Sequence, residues 1–322
     1  MQRDGGYNYP MDINTKRWME QLAPYIQEQP ITRVFIPGSH DSAAYSLEHK
    51  FGKNQNVTSK VNALKYLLFG FVVTQVAQRW AKTQDRSILQ QLEDGVRYLD
   101  LRVIYRDSKK DFFTVHGLYC PILDTILSQI ETFLSENPKE IIVIQVGDLR
   151  YMPNGDDDHL TLIGKLKHKF GNRLSPKSML LDTPIKKLWE QNKQVILIYN
   201  DHKIAQEHDF IFSKDIIDSY WANSDNLLDL KKRLDDNLAK RIQRLDQLFV
   251  VQSQMTANTK IIFTSLKPLS KKYKSLKKMA DSVEERLPVW LKEWYQHGPC
   301  IIMLDFTSKH TSEQIIRLNL LP

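Results

Sequence analysis

The chain reads as a single α/β domain built as a (β/α)8 barrel, and three observations predict it. Short apolar runs alternate with helical patterns from about residue 31 to the end, the signature of a parallel sheet covered by helices. Eight such runs stand out. No Gly-, Pro- or Ser-rich linker and no fixed-period repeat divides the 322 residues, and a barrel of this kind takes about 250 residues. The remainder allows an N-terminal extension with a first helix over residues 1–30, and a helical insertion over about 48–86 within a barrel spanning 31–322.

Taken in order, the expected strands are Arg33 to Ile36, Arg97 to Ile104, Phe112 to His116, Glu140 to Gly147, Gln194 to Tyr199, Ile216 to Trp221, Leu248 to Gln254 and Cys300 to Phe306. Each is a short run rich in β-branched or aromatic residues, although IIDSYWAN, around the sixth, also reads as a loop. Between the third and fourth lies ILDTILSQIETFLSENP. Its Ile122, Ile126, Ile130, Phe133 and Leu134 recur at helical spacing until Asn137 and Pro138 end it. The stretch NALKYLLFGFVVTQVAQRW between the first two strands is helical and apolar on most sides; an insertion at a barrel rim lids or supports a site.

Composition sets limits on function. With 42% hydrophobic and 26% charged residues the chain is globular, and 45 Lys and Arg against 38 Asp and Glu leave a net charge of +7. That favours phosphate-bearing or membrane partners. Cys120 and Cys300 stand far apart without a CxxC, which argues against a disulfide scaffold or a structural zinc site and for a reducing interior. MQRDGGYNYPMD lacks the apolar region of a secretory signal, and the expected location is cytoplasmic. The longest apolar stretch, Tyr66 to Val73, is far short of the roughly 20 residues that span a bilayer.

The polar residues of interest lie at strand ends. PGSHDS puts His40 and Asp41 on a glycine-led loop after the first strand, where barrel sites are built. In RYLDLRV the period-2 rule sends Tyr98, Asp100 and Arg102 to one face. A carboxylate and a guanidinium pointing inward are either each other's partners or part of a polar site, because unpaired they would cost several kcal/mol each. His116 ends FFTVH, and Asp305 follows the apolar CIIML. Singly these residues have structural readings: a hydrogen-bonded histidine, an internal ion pair, a turn-capping Asp41. Their convergence at the ends of four expected strands points to a site. Two imidazoles and a guanidinium suit phosphoryl transfer, in which one imidazole takes a proton, the other gives one and the cation binds the phosphate. A carboxylate such as Asp305 could orient His40, and either Arg102 or a metal could stabilise the transition state.

In order, IPGSHDS, QLEDGVRYLDLRV, VHGLY and IIMLDF resemble the X-domain of phosphatidylinositol-specific phospholipase C, most closely the compact animal proteins consisting of little else. The similarity runs from about Asn14 to Leu321. It implies a distorted TIM barrel that cleaves inositol phospholipids into diacylglycerol and an inositol (cyclic) phosphate. By the same resemblance His40 is the base toward the inositol 2-hydroxyl, Asp305 its orienting carboxylate, His116 the acid toward the diacylglycerol oxygen, and Asp41 its assistant. Arg102 matches the phosphate-stabilising arginine of the metal-independent bacterial enzymes, with Asp100 its neighbour. It stands where the calcium-dependent eukaryotic enzymes have an acidic ligand, so no catalytic calcium and no cofactor is expected. One departure concerns the fourth strand. IQVGDLRY places Asp148 where bacterial enzymes have lysine and related animal proteins histidine, which bears on the inositol contacts. Asn200 and Asn223, near other strand ends, are candidate hydroxyl binders or turn residues.

Access to a phospholipid requires docking on a membrane surface. Lys260 to Ala280 holds seven lysines and no acidic residue, among them Lys271, Lys272, Lys274, Lys277 and Lys278. The cluster is either an anionic-membrane contact, at about 1 kcal/mol per lysine, or a solvated helix face. Leu67, Leu68, Phe69, Phe71, Val72 and Trp80 either enter the interface or pack against the barrel. The expected partners are inositol phospholipid and, transiently, a membrane; nucleic acid is not expected, and a monomer is the default. The alternatives are a weakly active or inactive phosphoinositide-binding module on the same fold, and a divalent-metal phosphodiesterase acting on another lipid headgroup.

Overall fold

The computed structural model describes residues 12–53, 74–149, 151–179, 181–243, 246–266 and 273–322. The strands among them are β1 (Ile36–Ser39), β2 (Tyr98–Arg106), β3 (Asp111–His116), β4 (Leu118–Ile122), β5 (Ile142–Gly147), β6 (Val195–Tyr199), β7 (Ile211–Ser213), β8 (Ile217–Tyr220), β9 (Leu248–Gln252) and β10 (Ile301–Leu304). Eight of them form one curled sheet in the order β7-β6-β5-β2-β1-β10-β9-β8, and every pairing along it is parallel. Among the described residues no ladder joins β7 to β8, so the barrel stands open there.

Two sequence expectations are corrected. Phe112 to His116 is not a barrel strand. It lies in β3, which pairs antiparallel with the far end of β2 and then with β4. Only residues 107–110 separate β2 from β3, whereas a parallel return needs a crossover of a dozen or more residues. The missing barrel strand is β7, three residues long and too short to register as an apolar run. The first strand is also displaced. Arg33 belongs to a 3-10 turn, and PGS of PGSHDS is itself strand. Gly38 lets the strands approach closely there, because a Cβ would sit 3.0 Å from side-chain atoms of both Ile301 and Tyr98 and force them to shift.

The period-2 reading of β2 is borne out by packing. Leu99, Leu101 and Val103 face outward, fully buried against the helix Leu123–Glu136 through Ile126, Ile130, Phe133 and neighbours. That helix ends where its Asn137 side chain donates to the Phe133 carbonyl at 2.7 Å. Tyr98 faces inward with Val143, Ile198, Val250 and Met303. Each such fully buried side chain contributes about 1.5–3 kcal/mol.

The bottom of the barrel is plugged by the N-terminal helical segment, whose Trp18, Met19 and Leu22 are completely buried in the same cluster. A buried ion pair fastens it. Arg97 donates to Glu140 through Nε at 2.8 Å and Nη2 at 2.7 Å, and to the carbonyls of Leu92, Val96, Thr15 and Lys16. Glu140 accepts from the backbone of Met19 and Glu20. With its donors satisfied the pair tolerates burial, and the hydrophobic gradient leaves the polar residues at the opposite, carboxyl-terminal rim.

Candidate active site

The chain leaves β1 directly into His40, whose N–H donates to the Leu304 carbonyl of β10 at 3.0 Å. Asp41 follows in the left-handed region, φ +41°, a conformation aspartate tolerates better than most residues. The Ser42 hydroxyl secures the turn. It donates to the Ser39 carbonyl at 2.8 Å and accepts from the Ser39 hydroxyl and the Asp100 N–H. Gln84, fully buried, donates to the carbonyls of His40 and Leu304 and accepts from Thr307. Sequence reasoning does not single out Ser39, Ser42 or Gln84. The two serines stand inside the quoted motif, but Gln84 lies in a loop with no periodicity to mark it.

Six of the expected residues come together. His40 Nδ1 lies 2.7 Å from Asp305 Oδ1, and its Nε2 is 3.0 Å from Arg102 Nη2 and 3.2 Å from Asp41 Oδ2. His116 Nδ1 is 2.7 Å from the Ala81 carbonyl. Since a carbonyl only accepts, that nitrogen carries the hydrogen. His116 Nε2 is then left 3.1 Å from the same Asp41 oxygen. Arg102 Nε contacts the other Asp41 oxygen, and Asp100 stands 3.6 Å from Arg102 Nη2 while accepting from the Asp41 N–H. The two rings sit 6.0 Å apart at 74°. His116 reaches this place from the β3–β4 hairpin and not from a barrel strand.

Depth sorts the charges. The Asp41 and Asp305 side chains are 1% and 2% exposed, those of His116 and Arg102 25% and 28%, so the open face presents an imidazole and a guanidinium over buried carboxylates. Burial disfavours a charged His40, but the Asp41 and Asp305 carboxylates outweigh it and lift its pKa to about 9. Burial likewise works against the Asp41 carboxylate, yet Arg102, His116 and His40 hold it below the usual range. Arg102 is held above its ordinary value: burial opposes its charge, and Asp41, Asp100 and Asp148 more than compensate.

His40, Asp41 and Asp100 form the one group among the described residues whose ligand atoms cluster closely enough for a metal ion. The Arg102 guanidinium already lies against all three. A divalent ion would meet a fixed positive charge at contact distance, so these residues do not fit one while Arg102 keeps this position.

The remaining expected residues are placed as follows. Asp148 directly follows β5 at φ +53° and acts on Arg102 through its charge. Asn200 accepts from Gln145 Nε2 at 3.0 Å, and Gln145 in turn accepts from the Tyr98 hydroxyl, a polar chain rising from the barrel interior to the rim. Asn223 is exposed at φ +48°, a turn position, and no contact among the described residues joins it to the histidines. Lys271 and Lys272, with Leu67, Leu68, Phe69, Phe71 and Val72 of the insertion, lie outside the described residues. Trp80 is buried. Lys274 donates to the Ser265 carbonyl. Lys277 and Lys278 pair with Asp281 at 3.0 and 2.9 Å, one residue past the stretch that holds no acid. No described helix is long and apolar enough to cross a membrane.

No family model matches the chain. Human PI-PLC X domain-containing protein 2 is 28% identical over 287 residues, covering 88% of this chain and 87% of that one. Mouse PI-PLC X domain-containing protein 1 is 30% identical over 244 residues, covering 75% and 68%. Among solved structures, the phosphatidylinositol-specific phospholipase C from Listeria monocytogenes superposes with a TM-score of 0.67 at 19% identity, over 95% of this chain and 99% of that one. A structure of the Staphylococcus aureus enzyme does so with a TM-score of 0.64 at 17% identity, over 96% and 98%. The open parallel barrel is thus a known architecture, and by its likeness to the curated relatives the chain belongs to the family of PI-PLC X domain-containing proteins.

Proposed function

We propose that this protein cleaves the phosphodiester of inositol phospholipids without a resident metal, releasing diacylglycerol and a cyclic inositol phosphate. The observation that carries the reading is two imidazoles converging on one buried carboxylate beside an arginine. With Nδ1 hydrogen-bonded to Asp305, neutral His40 carries its lone pair on Nε2, which accepts a proton once the Arg102 Nη2 beside it turns to the phosphate. It takes that proton from the inositol 2-hydroxyl as the oxygen bonds to phosphorus. The bond from phosphorus to the diacylglycerol oxygen breaks, and His116 Nε2 supplies the proton this oxygen needs. Arg102 bears on the charge that builds up at the phosphate, and Asp41 keeps both rings and the guanidinium in register. Asp148, whose charge acts on Arg102, and Asn200, at the rim end of the Gln145 chain, are the proposed contacts to ring hydroxyls, and the lysines near residue 275 would favour an anionic bilayer.

A second reading, a weakly active phosphoinositide-binding module, is favoured by one observation. A His40 pKa of about 9 leaves little of the neutral base at pH 7. The test is release of diacylglycerol from phosphatidylinositol vesicles in excess chelator, with phosphorus NMR on the soluble product. Turnover that is lost on chelation rejects the arginine-for-metal reading. Lipid binding without product from pH 5 to 9 selects the binding module. His40→Ala and His116→Ala are each expected to abolish turnover in a folded protein.

A further inference from the structure

A second cationic concavity opens beside the proposed catalytic centre, and the mechanism leaves it unused. It has a volume of about 380 Å³, within the size range of small-ligand pockets, and its walls include Arg79, Lys82, Asp85, Ser275, Lys277 and Phe306. One wall is a helical face. Arg79 and Lys82 are three residues apart, and Lys82 N–H donates to the Gln78 carbonyl at 3.0 Å, continuing the helical ladder of residues 74–81. The opposite wall is the start of the helix Leu276–Glu284, which has no acidic residue in its first turn.

The charges in this concavity are incompletely neutralised. Arg79 is exposed and has no ion-pair partner among the described residues. Lys82 pairs with Asp85 at 2.9 Å across a solvent-exposed contact, which contributes little and exchanges readily. Lys277 lies 5.0 Å over the Phe306 ring while touching Asp281. The three cations Arg79, Lys82 and Lys277 therefore meet two carboxylates, Asp85 and Asp281, which leaves Arg79 as the uncompensated charge. A guanidinium fork together with two ammonium groups suits the oxygens of a phosphate.

The location ties this concavity to the chemistry. Its helical wall runs into Ala81, whose carbonyl takes the His116 hydrogen bond. Phe306 follows Asp305 and donates its N–H to the Thr83 carbonyl at 2.6 Å.

We propose that this concavity is a phosphate-monoester site next to the catalytic centre, served by Arg79, Lys82 and Lys277. It deepens the phospholipid reading above and rests on it for the expectation that the monoester is presented at a membrane. The shared chemistry is a terminal phosphate of charge near −2, whether on a lipid or on a soluble molecule.

The test uses the full chain and binding as its readout, so it does not depend on turnover. Sedimentation is measured with phosphatidylcholine vesicles doped with phosphatidic acid or with phosphatidylserine, matched in surface charge, and glycerol 3-phosphate is titrated as competitor. The wild type is expected to prefer phosphatidic acid, and Arg79→Gln with Lys82→Gln is expected to weaken that binding roughly tenfold or more, removing the preference. Displacement by glycerol 3-phosphate assigns a site open to soluble phosphates; resistance to it assigns a lipid-borne one. Equal binding to both vesicles, or a preference that survives the double substitution in a folded protein, overturns the proposal. Turnover of monomeric phosphatidylinositol should be unchanged by the double variant, and its loss would overturn the separation of this site from catalysis. If the wild type turns over no lipid yet shows the monoester preference, the proposed activity fails and the site stands.

Discussion

The base limb of the pH dependence of turnover follows from a single ring. His40 accepts a proton only when neutral, and the paired carboxylates Asp41 and Asp305 lift its pKa from the ordinary 6.5 to about 9. Each pH unit below that value lowers the neutral fraction about tenfold, so roughly 1% is neutral at pH 7 and half at pH 9. On that basis the neutral fraction of His40 should climb about fiftyfold from pH 7 to 9, and kcat/KM should rise with it wherever His116 keeps the proton it donates. The same linkage appears in stability, with its sign fixed by the raised value. The charged ring stabilises the fold, and this contribution is complete below pH 6.5 and fades as pH rises through about 9. Its size is on the order of 3 kcal/mol, and His40→Gln should flatten the decline. Asp305→Asn removes one of the two lifting charges, so the rising limb should move to lower pH while the plateau falls as the ring loses its orienting partner. The assay is kcat/KM on short-chain monomeric phosphatidylinositol with chelator, and circular dichroism at each pH confirms folding. Titration of the His40 ring followed by NMR separates its limb from that of His116, and a ring already neutral at pH 7 would refute the lifted pKa on which the prediction rests.

Two further predictions concern the scaffold beneath the site. Arg97→Leu strands the Glu140 carboxylate in a fully buried position, and breaking such a pair should lower the unfolding free energy by about 3–5 kcal/mol; urea denaturation measures it, and a loss under about 1 kcal/mol would contradict the claim that this pair anchors the N-terminal plug. Gly147→Ala places a Cβ 2.7 Å from Asn200 Nδ2, so the amide must swing away from Gln145; KM should rise severalfold with kcat retained, and an unchanged KM would remove Asn200 from the substrate contacts.

The main lines of the site are open to a reader of the sequence because the constraints that create it are short-range. A residue's face on a strand depends only on parity, so Asp100 and Arg102 can be assigned to the interior of β2 beside Tyr98. PGSHDS and CIIMLDF each place a polar residue where a buried strand meets solvent, which marks His40 and Asp305. The covering helix over Leu123–Glu136 announces itself by periodicity and stops at Asn137. What proximity in sequence does not encode is partnership. Whether Asp41 caps a turn or binds other side chains is undecidable locally, and its three partners, two imidazoles and a guanidinium, arrive from the end of β1, from β2 and from the β3–β4 hairpin. The hairpin itself reads as a barrel strand, since an apolar run has the same appearance whether its neighbour runs parallel or antiparallel. β7 escapes notice because three residues suffice when the neighbouring β6 supplies the hydrogen bonds. Asp281, the acid beyond the lysine cluster, belongs to it only because helical spacing carries its side chain one turn back to Lys277 and Lys278. Residue type and rhythm thus determine the strand ends and their inward faces. Only the closing of distant segments onto one another decides which charges meet, because electrostatic pairing falls off over a few ångströms and depends on separation in space, not along the chain.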